Sequence, residues 1–211
     1  MSTSRFVAIL ALVTGAAGFG TALGQAKPQD KPQEKPKATA QEAGAKKEMM
    51  AAPKPGPEHK VLESKVGKWN GKVKMWMTPD ATSAEESTCT AEYKWVMNGL
   101  YLHDETKGTF GGMPFEGMGL TTYDTIKKKY VSTWADNMCS GIMTSEGTYD
   151  PASKSFAYAG QAPCPETGKY EATKMTEKEI DANSWMMEMQ ATDPKSGKMF
   201  KCMEITYTRA K

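Results

Sequence analysis

From residue 69 onward the hydrophobic positions recur every second residue, not every third or fourth. Ser87, Cys89, Ala91, Tyr93, Trp95 and Met97 share one parity, and Glu86, Thr88, Thr90, Glu92 and Lys94 share the other. Such alternation belongs to strands with one buried and one wetted face, as in an antiparallel sheet. Trp69, Val73, Met75 and Met77 repeat it against Asn70, Lys72 and Lys74, and Trp76 is the exception, a large ring turned outward. Trp185, Met187, Met189 and Ala191 do the same, as do Met203, Ile205 and Tyr207. Only residues 58–66 carry helical spacing, with Val61, Leu62 and Val66 on one side and Pro57 at the start.

The breaks between runs have turn chemistry of their own. Thr122-Tyr123-Asp124 with Lys128 and Tyr130 is nearly copied by Thr148-Tyr149-Asp150-Pro151 with Lys154 and Phe156, and Asp193-Pro194-Lys195-Ser196-Gly197 makes a third turn. Each Asp is expected to accept local backbone N–H groups at the head of a hairpin, with aromatics on the flanking strands. Consecutive hairpins at roughly 8–14-residue spacing build a meander, and closing it removes its exposed edges. The expected fold is therefore all-β, an antiparallel up-and-down barrel of about ten strands with one short N-terminal helix.

Composition divides the 211 residues into three unlike segments. Arg5 precedes an apolar run, Phe6 to Val13, and small residues follow as far as Ala26. This order of charged, apolar and small residues predicts a signal peptide over 1–24, with cleavage after Gly24 or after Ala26. The run is interrupted by Gly15, Gly18 and Gly20 and falls short of the roughly 20 apolar residues of a membrane span, so no stable span is expected after cleavage. No cysteine precedes Cys89, so the thiol of a lipid anchor is missing. Residues 25–56 repeat Lys-Pro-Gln-Asp, Lys-Pro-Gln-Glu and Lys-Pro-Lys-Ala, a polar composition that predicts a disordered, semi-rigid linker. The barrel domain is assigned to 57–211, and the protein is expected to be exported, periplasmic or secreted, from a bacterium.

Charge and candidate chemistry narrow the function classes. Residues 58–211 hold 19 basic and 21 acidic side chains, and the one dense basic cluster, Lys127-Lys128-Lys129, falls in a turn, so a nucleic-acid partner is not expected. The two histidines, His59 and His103, and the absence of any Cys-x-x-Cys give no zinc pattern. Sulfur from Met138, Cys139 and Met143 suits a soft metal, but methionine as flexible core filling is the preferred reading, so no metal and no cofactor are assigned. Asp104 and Glu105 beside His103 suggest a polar face or a rim. Among four cysteines, Cys139 and Cys164 near strand ends are the candidate disulfide. Asp136, after Trp134 on an apolar strand, is the one carboxylate considered for catalysis, where desolvation would raise its pKa; the alternative is a rim residue capping a loop with Asn137.

Several ordered stretches resemble one known family. Pro57-Glu58-His59-Lys60, Leu62-Glu63 and Val66-Gly67-Lys68-Trp69 come first. Gly112-Met113-Pro114-Phe115-Glu116-Gly117, Thr122-Tyr123-Asp124, the run from Lys129 to Asp136, and Glu146-Gly147-Thr148-Tyr149-Asp150 follow. The chain is similar in these to the bacterial family called domain of unknown function 1579, over nearly all of 57–211. The resemblance implies a calycin-like barrel and carries no catalytic residues; Cys139 and Cys164 lie outside its pattern. Gly67-Lys68-Trp69 also resembles the Gly-x-Trp of lipocalins, whose late basic residue covers the indole, a role that falls here to Arg209.

The function expected from these observations is non-catalytic binding of a small apolar or amphipathic ligand. The ligand would lie among Trp69, Met75, Tyr93, Trp95 and Trp134, with Met187 and Met189 beyond and Asp136 at the rim. A self-filled barrel acting as an envelope interaction module is the first alternative, and an enzyme using Asp136 the second.

Overall fold

The computed structural model describes residues 53–211. The signal peptide and most of the linker predicted above lie outside the described residues. Among these, no helix is long and apolar enough to cross a membrane, a statement that does not bear on strands.

The chain opens with α1 (Pro57–Lys60), which tightens into a 3-10 segment over Val61–Lys65. Ten strands follow: β1 (Gly67–Met75), β2 (Glu85–Val96), β3 (Tyr101–Phe110), β4 (Met113–Asp124), β5 (Lys129–Asp136), β6 (Cys139–Asp150), β7 (Ser155–Cys164), β8 (Lys169–Asp181), β9 (Ser184–Thr192) and β10 (Met199–Arg209). Each pairs antiparallel with its neighbours in sequence, and β1 pairs with β10, so the sheet closes as the period-two pattern and the even turn spacing predicted.

The hairpins are set by aspartate. Asp124 accepts the amides of Ile126 and Lys127 at 2.8 and 2.9 Å, and Asp150 accepts that of Ala152 at 3.0 Å. Asp181 and Asp193 cap their turns in the same way, through the amides of Asn183 and Ser196. These bonds satisfy turn N–H groups that the ladders leave unpaired. Lys128 and Lys154 take equivalent left-handed positions with φ of 54° and 50°, the conformational counterpart of the two near-identical turn sequences.

One end of the barrel is plugged. Two positions of the leading segment turn into the interior, Leu62 with no exposure and Lys65 with 7 %. They are three residues apart, as a 3-10 turn requires for side chains on one face. Trp69 is 1 % exposed and donates its indole N–H to the Lys65 carbonyl at 2.7 Å. Trp69 and Trp185 meet edge to face at 6.1 Å, and Trp185 stacks on Tyr207 at 4.1 Å. On the other side Tyr130 meets Phe156 at 4.9 Å and donates its hydroxyl to the Glu58 carbonyl at 3.0 Å. His59, one of the two histidines, is buried here as a structural group, its Nδ1 accepting the Gly56 amide.

Arg209 fastens this end. It pairs in register with Trp69, and its guanidinium lies 4.2 Å from the indole centroid. Nη1 donates to the Val66 carbonyl at 2.9 Å, and Nη2 to those of Ser64 at 3.1 Å and Ala182 at 3.4 Å. Gly67 has φ of 120°, and a Cβ there would sit 2.8 Å from Nη1, so both backbone and space demand glycine.

Parity fixes which side of the wall a residue faces but not its height, and two expected inward positions fall beyond the strands. Met77 lies past the end of β1 and Met97 in the turn after β2, and both are more than half exposed. Replacing Trp69 by Ala is expected to lower unfolding free energy by about 3–5 kcal/mol, and Arg209→Ala by about 1–3 kcal/mol through its hydrogen bonds to carbonyls. Denaturant titration followed by far-UV circular dichroism checks both; unchanged midpoints would remove the plug as a source of stability.

Candidate functional site

Above the plug the interior is open, with a cavity of about 350 Å³ running to the far end of the barrel. Its upper wall includes Met75, Met187, Met189 and Met203. Six of the eight positions singled out by sequence therefore border it: Met75, Tyr93, Trp134, Met187 and Met189, and Asp136 at the mouth. Trp69 belongs to the plug and borders only a cleft of about 20 Å³ on the closed side. Trp95 sits near the end of β2, below the floor, where its indole donates to Glu63 at 2.7 Å. Both face inward by parity, as the sequence indicates, but at the wrong height to meet the cavity.

At the mouth Trp134 is held in place from three directions. Its indole donates to Asp136 Oδ2 at 2.9 Å, and Phe115 stacks on it at 6.4 Å. Gly117 on β4 leaves it room, since a Cβ there would come within 2.2 Å of the ring. The other Asp136 oxygen accepts the Met138 amide at 2.9 Å, the same hairpin contact that Asp124, Asp150 and Asp181 make. Asp136 is thus a turn cap that also anchors a tryptophan.

The mouth holds the cysteines considered for a disulfide, and the structure corrects that expectation: all four thiols are free. Cys139 starts β6 opposite Asp136, and Cys164 ends β7 opposite Lys169. The ladder between β6 and β7 stops at Thr144 and Gln161, so no paired register sets the two cysteines against each other. Cys202 lies at a bulge in β10 and points its thiol to the Met189 carbonyl, away from the cavity.

The floor is where the structure departs most from the sequence reading. Asp104, expected on a polar face, is 8 % exposed and borders the cavity, together with Lys65 and Glu177. Lys65 forms a buried ion pair with Glu177, and its ammonium lies 4.7 Å from the Trp185 ring centroid and 5.1 Å from that of Phe156. Asp104 has no side-chain hydrogen-bond partner among the described residues; only its own backbone N–H approaches the carboxyl. Burial pushes its pKa up to about 7; nearby Lys65 pulls it down, and nearby Glu177 pushes it further up. Gly119 on β4 makes the space, because a Cβ there would meet Asp104 Oδ1 at 2.5 Å. Tyr93 pairs with Asp104 across β2 and β3, and burial holds the phenols of Tyr93 and Tyr207 well above their usual range. The buried indole N–H of Trp185 has no acceptor among the described residues.

Asp104 was within reach of sequence reasoning, since Leu102, Asp104 and Thr106 share a parity. Three consecutive polar residues, His103 to Glu105, masked it. Lys65 and Glu177 had no comparable signal: their pairing joins the leading segment to β8, more than a hundred residues away. Among the described residues, no group of three or more His, Cys, Asp and Glu side chains is placed to hold a metal.

Solved structures with the same fold include an S-type phycobiliprotein lyase, CPES, from Guillardia theta, with a TM-score of 0.51 at 9% identity over 73% of this chain and 93% of that one. Rv2717c from M. tuberculosis superposes with a TM-score of 0.55 at 15% identity, over 74% of this chain and 99% of its own. At such identities the likeness shows a lipocalin-like barrel and nothing of activity. No curated protein matches the sequence. Residues 54–209 match the model of the family described as Protein of unknown function (DUF1579), and the chain belongs to that family.

Proposed function

We propose that this protein is an exported, non-catalytic carrier or sensor that holds a small amphipathic ligand inside its barrel. The observation that carries the reading is the cavity itself, about 350 Å³ with sulfur and aromatic walls above a charged floor. Small-molecule sites are concave, largely apolar and oriented by a few polar groups, and this volume falls within their usual range of roughly 300–1,000 Å³. A self-filled barrel has no such space. Asp136, the carboxylate considered for catalysis, spends its oxygens on Trp134 and a turn amide, which supports a non-catalytic role. Exposed Met113, Met138 and Tyr170 at the open end supply an apolar approach to the mouth. The order of Arg5, the apolar run and the small residues supports export.

The floor supports a ligand site in a second way. A buried carboxyl without a partner costs stability, and such costs concentrate at functional sites. The folded-state pKa of Asp104 lies above the unfolded value, so stability from this group is complete below about pH 4 and declines as pH rises toward 7. Asp104→Asn is expected to gain on the order of 3–4 kcal/mol over the natural protein at pH 8, with the difference vanishing near pH 4. Urea unfolding at the two pH values decides it, and a variant that is equally destabilised at both would show the carboxyl to be structurally required.

Filling the cavity tests the binding reading directly. N-phenyl-1-naphthylamine is expected to brighten on binding the natural protein and to lose at least tenfold in affinity with Thr106→Phe, which places a ring in the cavity. The outward Lys107→Ala serves as control. If the dye fails to bind, or binds both variants alike, the interior is not the site. Export is checked by intact mass after expression in a bacterial host, where the mature chain is expected to begin at Gln25 or Lys27; a chain retaining Met1 in the cytoplasmic fraction would remove it.

A further inference from the structure

The floor holds three ionisable side chains, and their pairing leaves one of them over. Lys65 is committed to Glu177 and to the faces of two aromatic rings, so its charge is already compensated. Asp104 has neither a countercharge of its own nor a side-chain donor, and it borders the cavity with 8 % exposure. Its approach is cleared on one side by Gly119 and framed on the other by Tyr93.

We propose that the ligand is a cationic amphiphile, an aliphatic amine whose ammonium pairs with the Asp104 carboxylate while its chain runs up the methionine-lined wall toward the mouth. This deepens the ligand-binding reading above and rests on it. An ammonium supplies what the floor lacks, a positive charge with several N–H donors, in a setting where Coulomb attraction is little screened. A carboxylate head would instead meet Asp104 and Glu177 as like charges, with the one nearby lysine already paired. An alcohol head satisfies the hydrogen bond but leaves the carboxylate uncompensated.

Titration supports the same assignment. The groups facing Asp104 are Lys65 from the leading segment, Tyr93 from β2, Glu177 from β8 and Tyr207 from β10, with Cys89 of β2 beside the two phenols. Burial keeps the thiol and the two phenols protonated, whereas the Asp104 carboxyl is held at about 7. β4 contributes Gly119 here and no charged group. An ammonium beside Asp104 favours its ionised form, so binding releases a proton at neutral pH and weakens in acid.

The test uses the full chain and three probes of equal length, octylamine, octanol and octanoate, each displacing bound N-phenyl-1-naphthylamine. At pH 8 octylamine is expected to displace the dye at a concentration at least tenfold below the other two. Its advantage over octanol should shrink by roughly ten- to thirtyfold at pH 5.5, where Asp104 is protonated. Asp104→Asn, checked for folding by circular dichroism, should abolish the preference at pH 8 and leave octanol unchanged. Should the variant not fold, the pH series on the natural protein decides alone. Equal or tighter binding of octanol or octanoate, or an amine preference that survives acid, overturns the amine assignment while the binding site stands. A dye that does not bind at all removes both.

Discussion

Closing β1 onto β10 is the constraint from which the remaining features follow. A closed sheet of ten strands encloses more width than its own side chains fill, because barrel diameter grows with strand number. This protein resolves the surplus unequally. At the end where β1 begins, Leu62 and Lys65 enter from outside the sheet and join Trp69, Trp185 and Tyr207 in a packed plug. At the other end no segment of the described residues enters, and the width remains as a cavity. Arg209 serves closure and plug together: it lies on the strand that completes the barrel, covers Trp69, and donates to two carbonyls of the leading segment.

The polar floor is a consequence of how the plug is made. A leading segment that winds as a 3-10 turn places positions 62 and 65 on the same face, so the turn that brings in a leucine also brings in a lysine. A buried ammonium requires a partner, and Glu177 on β8 provides it. The aromatic faces of Trp185 and Phe156 then spread the remaining field of that charge. Asp104 borders this arrangement but is not a member of the ion pair. Its unpaired state is therefore not needed to complete the plug, and the fold would tolerate a neutral side chain in its place.

How much of this was legible in the sequence depended on whether the determinant was local. Strand alternation and aspartate turns act over two to four residues, and they predicted the number of strands and their sequential pairing. The Arg209 contact, which joins residues about 140 positions apart, was expected only through the resemblance of Gly67-Lys68-Trp69 to the lipocalin pattern. Height along the barrel is different. Trp95 and Trp69 have the parity of Tyr93 and Val73, yet stand at or below the floor, since where a strand meets the plug depends on the stagger of all ten strands. Asp104 was hidden by its neighbours, and Lys65 by a helical stretch whose inward face becomes visible only against β8. Asp136 drew attention as the carboxylate beside a tryptophan, and of its two readings the loop cap, which its place at the end of a strand shares with Asp124 and Asp150, is the one its Met138 contact matches.

The two ends of the cavity differ in rigidity, and that difference bears on what a ligand would experience there. At the floor, ring stacking and the Lys65–Glu177 ion pair fix the groups around Asp104, so a polar head would meet a preorganised surface. The upper walls carry Met75, Met187, Met189 and Met203, unbranched side chains with several rotatable bonds and a polarisable sulfur that adapt to varied shapes. Discrimination would then reside in the charge and hydrogen bonding of the head, where a wrong group leaves a buried partner unsatisfied, and each methylene of the tail would add a smaller, more uniform increment. A ligand held as proposed would be selected by chemistry at the base, with length and branching accepted above it.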